Sequence, residues 1–116
     1  MSGYSGGGDM LIVTTNDVPG YRVEAVLGEV FGLTVRSRNA VSQMGSGFKS
    51  MFGGELKGLT KSLVTSRNEV LARMTDEARA KGANAVIAMR FDTSEMGDVW
   101  TEICAYGTAA RISPLR

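Results

Sequence analysis

The chain has 116 residues and a mass of 12.3 kDa, the size of one domain. Hydrophobic residues make up 43% and charged residues 22%, enough apolar surface to exclude disorder over most of the length. Thirteen Lys and Arg against twelve Asp and Glu give a net charge of +1, which argues against general nucleic-acid binding.

No apolar run approaches the roughly 18 residues that a membrane span requires. The single cysteine, Cys104, rules out an intrachain disulfide, and nothing implies an oxidising compartment. No basic start followed by an apolar stretch marks a secretory signal, so a cytoplasmic protein is expected. Residues 1–10, with Gly3, Gly6, Gly7 and Gly8, read as a flexible leader or a fusion scar. Residues 11–113 read as a single domain.

Leu11-Ile12-Val13-Thr14-Thr15 is a short β-rich run, closed by the turn formers Asn16-Asp17 and Pro19-Gly20. Tyr21, Val23 and Ala25 then alternate with Arg22 and Glu24, as in a strand with one wet face. Gly28 and Gly32 interrupt this run. Glycine inside a strand marks a bulge, a bend or the close approach of another backbone. Tyr21–Val35 is therefore predicted as one long curved strand, or two joined at Gly28–Gly32.

The middle of the chain carries helical spacing. Val41, Met44, Phe48, Met51 and Phe52 form one stripe, weakened by Gly45 and Gly47 and ended near Gly53-Gly54. Leu56, Leu59, Leu63, Val70, Met74 and Ala78 form another, which predicts a long helix over Leu56–Lys81. Lys81-Gly82 is its stop, a cation in the last turn followed by a residue free to turn left-handed. Ala85–Phe91 is the next strand, Asp92–Asp98 a polar hairpin loop, and Trp100–Ile112 the returning strand. The predicted order is ββααββ, an α+β domain with a mainly antiparallel sheet.

The series Gly28-x-Val30-x-Gly32, Gly53-Gly54, Leu63, Arg67, Gly82-Ala83-Asn84-Ala85-Val86, Asp92 and Gly107-Thr108-Ala109 resembles the YbjQ-like family. The resemblance runs from about Leu11 to Ile112. The family has no characterised function and carries a heavy-metal-binding label. It implies a two-layer, dodecin-like subunit in a ring-shaped homo-oligomer, typically a pentamer. This chain departs from the family pattern at Lys49-Ser50, Glu55 and Leu59, where relatives commonly carry Arg-Asp, Arg and Tyr.

The residues themselves point away from a metal. Soft and borderline metals are held by clusters of Cys and His, and the chain has one thiol and no imidazole. Met44, Met51, Met74 and Met89 lie on predicted core stripes and read as packing residues. Gly45-Ser46-Gly47-Phe48-Lys49-Ser50 lacks the spacing of a phosphate loop. Asp92, Glu95 and Asp98 read as a solvated acidic loop, with weak hard-cation binding the lesser alternative. A membrane-surface role for Val41–Phe52 lacks the necessary basic face, since Lys49 is its one cation. Arg67 falls beside the apolar stripe, where a charge is expected to be paired or at a boundary.

No catalytic residue, metal ligand or cofactor is predicted. The expectation is a non-enzymatic, ring-forming domain that binds an unidentified small molecule or partner, with metal binding as the alternative. Gly28, Gly32, Phe48, Met51, Phe52 and Arg67 are the candidate subunit-contact or ligand-lining residues. In this reading the Met/Phe stripe packs on a neighbouring subunit, and the long strand's edge pairs with one.

Overall fold

The computed structural model describes residues 10–37, 51–52, 55–97 and 100–115. Their elements in chain order are β1 (Leu11–Ile12), β2 (Tyr21–Ser37), β3 (Met51–Phe52), β4 (Glu55–Leu56), α1 (Lys57–Ala80), β5 (Ala85–Met96) and β6 (Trp100–Pro114). A mixed four-stranded sheet has the order β1-β5-β6-β2, with β1 parallel to β5 and the other pairs antiparallel. The α+β class is as expected.

The ββααββ order is not what the described residues show, because α1 is the one helix among them. Most of the expected helix over Val41–Phe52, Phe48 included, lies outside the described residues. Its last two positions, Met51 and Phe52, are strand β3, paired antiparallel with Glu55 and Leu56 of β4. Gly53-Gly54 between them is a sequence that suits a tight reversal better than a helix.

The alternation from Tyr21 produces one 17-residue strand, β2, as predicted. Its two glycines do different things. At Gly28 the pairing with β6 slips a residue and φ is +109°, so this glycine sits at a bulge. Gly32 lies flat under α1, where a Cβ would come 2.0 Å from the Val70 carbonyl oxygen. The helix backbone rests on the strand at that point because no side chain intervenes.

Contact at Gly32 selects which face of α1 is buried. Val70, Met74 and Ala78 are fully buried, and Ser62 and Ser66 continue the same four-residue ridge toward the N-terminus. Val70, Met74 and Ala78 pack with Val30, Ala105, Ala109 and Val86 as the main core. Leu63, expected on this stripe, is instead 47% exposed. It lies one position round the helix from the buried ridge, at its border.

The stop at Gly82 is as predicted. Gly82 has φ +85°, its N–H donates to the Arg79 carbonyl, and the Ala83 N–H donates to the Ala78 carbonyl at 3.1 Å. These two bonds, with Ala83 and Ala78 both buried, define a Schellman cap.

The polar segment after Phe91 is strand, not loop, as far as Met96. Asp92 pairs with Cys104, Ser94 with Glu102 and Met96 with Trp100. Trp100, Thr101 and Ile103 of β6 favour strand geometry, and polar residues are tolerated where the ribbon has wet surface on it. Strand geometry also separates the acidic residues. Asp92 and Glu95 point to opposite faces, so the acidic cluster expected over Asp92–Asp98 does not assemble among the described residues.

The side of the sheet away from α1 is only partly covered. At one end Val18, Ala85, Ile87, Ala110 and Ile112 form a second small core. At the other end the same face is open, and Phe31, Val35, Met96, Trp100 and Tyr106 are each 37–50% exposed.

Candidate functional site

Two regions of the described structure present chemistry: the open sheet face, and a cavity on the α1 side. The register sets both. Gly32, Ala105 and Phe91 form one row beneath α1, and Thr34, Ile103 and Thr93 form the next. The first row is closed by the helix backbone lying on Gly32. The second is not. There Leu63 and Val64 remain 47% and 52% exposed, and a cavity of about 480 Å³ lies between helix and sheet.

Thr60, Leu63, Val64 and Arg67 line the cavity from α1. Thr93, Thr101 and Ile103 line it from the sheet. The Arg67 guanidinium carbon stands 4.5 Å from the centroid of the Phe91 ring, a cation–π contact. No hydrogen bond or ion pair involves Arg67 among the described residues. Arg67 is exposed, so of the two expected alternatives the described residues show the boundary position and not the ion pair.

A second group of charges lies beside the free edge of β2. Glu69 bridges Arg36 at 2.6 Å and Arg73 at 2.7 Å. Arg73 also donates to the Leu33 carbonyl at 2.6 Å, and Glu77 accepts from the Phe31 N–H at 2.7 Å. Side chains of α1 thus occupy the outward backbone groups of β2 at Phe31 and Leu33, as edge strands require.

Cys104 lies half-buried on the open sheet face, cross-strand from Leu33 and Asp92. Burial raises its thiol pKa, and the carboxylates of Glu102, Asp92 and Glu29 raise it further. This environment holds the protonated thiol, the opposite of what a metal-binding or nucleophilic cysteine needs. Among the described residues no group of three or more Cys, Asp or Glu side chains could hold a metal ion. With no histidine in the chain, the donors present do not fit a soft metal.

The structure brings two of the six candidate residues, Gly32 and Arg67, to the α1–sheet interface. Gly28 stands apart at its bulge, Met51 and Phe52 are in β3, and Phe48 is outside the described residues. Sequence reasoning missed Phe91, Thr93, Thr101 and Ile103, whose convergence depends on strand register. The helix side carried a signal, since Thr60, Leu63, Val64 and Arg67 share one face by their three- and four-residue spacing.

A two-layer α+β domain with an open sheet face and a lined cavity, and no assembled metal centre among the described residues, is the class these observations define. Comparison with known proteins makes the assignment specific. A family model described as "Putative heavy-metal-binding" matches residues 10–113, and the chain belongs to this YbjQ family. A UPF0145 protein of Acidothermus cellulolyticus is 67% identical over 106 residues, covering 91% of this chain and 98% of that protein. A UPF0145 protein of Streptomyces griseus is 68% identical over 105 residues, with 90% and 87% covered. In Lactococcus lactis subsp. cremoris a further UPF0145 protein is 52% identical over 107 residues, with 92% and 98% covered. A crystal structure of a protein of unknown function from Pediococcus pentosaceus matches with a TM-score of 0.48 at 14% identity, covering 90% of this chain and 98% of that one.

Proposed function

We propose that the protein is a non-enzymatic homo-oligomeric domain of the cytoplasm, a dodecin-like subunit of a closed ring, that binds a small molecule or partner. The open sheet face carries this reading. Phe31, Val35, Met96, Trp100 and Tyr106 are exposed on one side of three adjacent strands, with Asp92 and Glu102 among them. Monomeric soluble proteins rarely leave such a surface uncovered. A second copy is the natural occupant, and the resemblance of the sequence points to five subunits. The cation Arg90 and the carboxylates Glu29, Asp92 and Glu102 share this face, so a neighbour can be charge-matched as well as apolar.

Size exclusion with light scattering tests the reading. A mass near five times the 12.3 kDa subunit is expected at micromolar concentration, with dissociation in Phe31→Asp/Trp100→Asp. A wild-type mass of one subunit overturns it. The metal label is tested separately by calorimetric titration with zinc, copper and nickel. No sub-micromolar binding is expected, and one ion held per subunit would restore the label.

A further inference from the structure

We infer that the cavity between the first half of α1 and the β5–β6 ribbon is a binding site for a small organic monoanion. Its ligand class is a carboxylate carried on a compact apolar ring or chain. The inference names a ligand class for the binding role proposed above, and it does not depend on the number of subunits.

Arg67 is the starting point. Each other arginine among the described residues has a polar partner: Arg22 pairs with Glu24, Arg36 and Arg73 with Glu69, and Arg79 with Asp76. Arg90 donates to the Thr14 carbonyl and Arg111 to the Gly82 carbonyl. Arg67 has the Phe91 ring alone. A ring satisfies one face of a guanidinium but none of its five N–H donors, which lie in the plane. The guanidinium is thus held against the ring on an exposed position, and its donors meet no partner among the described residues.

The cavity's composition selects what those donors can meet. Arg67 supplies the one formal charge among the described lining residues, so the site attracts an anion. Leu63, Val64 and Ile103 give it apolar walls, and the exposure of the two helix residues leaves the space open among the described residues. Thr60, Thr93 and Thr101 add hydroxyls that can donate to an anion or accept from a neutral group. About 480 Å³ lies within the size range of small-molecule pockets.

Inorganic phosphate fits less well. It asks for several cations or a cluster of backbone N–H groups, and it makes no use of apolar walls. A carboxylate matches one guanidinium fork through two parallel hydrogen bonds. Its apolar body would lie along Leu63, Val64 and Ile103.

The test is titration of the full chain with benzoate, octanoate, benzamide and inorganic phosphate, read by chemical-shift changes of the backbone amides. Saturable shifts at Thr93, Thr101 and α1 are expected with at least one of the two carboxylates. Benzamide, which has the same ring without the charge, should bind at least about tenfold more weakly, as loss of a charge-assisted pair implies. Arg67→Gln should weaken carboxylate binding by a similar factor, and Arg67→Lys, which keeps the charge without the fork, should fall between. No saturable shift with either carboxylate overturns the proposal, as does equal binding of benzoate and benzamide. Phosphate binding stronger than either carboxylate overturns the ligand class. The wild-type comparison decides the matter even if an Arg67 variant folds poorly. Light scattering on the same samples reports assembly independently, so a failed ring and an empty cavity give different results.

Discussion

Replacing Gly32 by Ala puts a methyl group where α1 already lies. The new Cβ would sit 2.0 Å from the Val70 carbonyl oxygen, 2.6 Å from the Met74 nitrogen and 3.0 Å from the Arg73 Cβ. The first two are helix backbone atoms, which cannot swing aside as the end of a side chain can. Ordinary contact begins at 3.4 Å, so the helix must retreat there by about 1.4 Å. A gap of even ~1 Å forfeits up to half of the dispersion attraction across it. The side chains that lose it, Val30, Val70 and Met74, are all fully buried. Overpacking of a closed core costs about 1–3 kcal/mol, and rigid backbone neighbours place Gly32→Ala near the top of that range. For a domain of this size the melting temperature should fall by roughly 10–15 °C. Calorimetric melting at one fixed protein concentration is the assay, because assembly makes the transition concentration-dependent. A variant melting within about 3 °C of the wild type would refute the close approach of helix and strand.

Gly82→Ala should cost about 1 kcal/mol, because φ of +85° is strained for a residue with a Cβ. An unchanged urea midpoint would contradict the cap. Thr75 is 1% exposed and its hydroxyl has no hydrogen-bond partner among the described residues, so the isosteric Thr75→Val should be neutral or stabilising by up to about 1 kcal/mol. A lower melting temperature in that variant would reveal a partner for the hydroxyl. The raised Cys104 pKa predicts slow alkylation by iodoacetamide at pH 8, accelerating as pH rises through the alkaline range. Glu102→Gln should shift that profile to lower pH, since it removes one of the carboxylates that disfavour the thiolate. An unmoved profile would remove Glu102 from the causes of the shift.

Much of the local structure was legible because it follows from local causes. Alternation after Tyr21 encodes β2, and Lys81-Gly82 encodes the end of α1. A glycine within a strand announces a bulge or a close approach, and Gly28 and Gly32 supply one of each. What the sequence alone did not reveal depends on partners distant along the chain. Asp92, Ser94 and Glu95 look like loop residues until β6 is placed beside them. Leu63 fits a core stripe by spacing, yet the contact at Gly32 fixes which ridge is buried and turns Leu63 toward the cavity. Arg67 stood out as a charge near an apolar stripe. The sheet side of its cavity could not be anticipated, because Thr93, Thr101 and Ile103 meet only through strand register.

The hydrogen bonds from Glu77 and Arg73 to β2 bear on how the protein avoids runaway polymerisation. A bare edge strand of this length would accept a strand from any other molecule, native or misfolded, and such additions propagate without limit. At Phe31 and Leu33 the docking points are already taken by α1, and Glu69 ties Arg73 and Arg36 across the same border. An incoming strand would have to displace charged groups from their partners before gaining its own backbone bonds. Growth along that stretch of edge is therefore disfavoured from the moment the helix docks, and folding itself protects a β-rich chain against fibre formation.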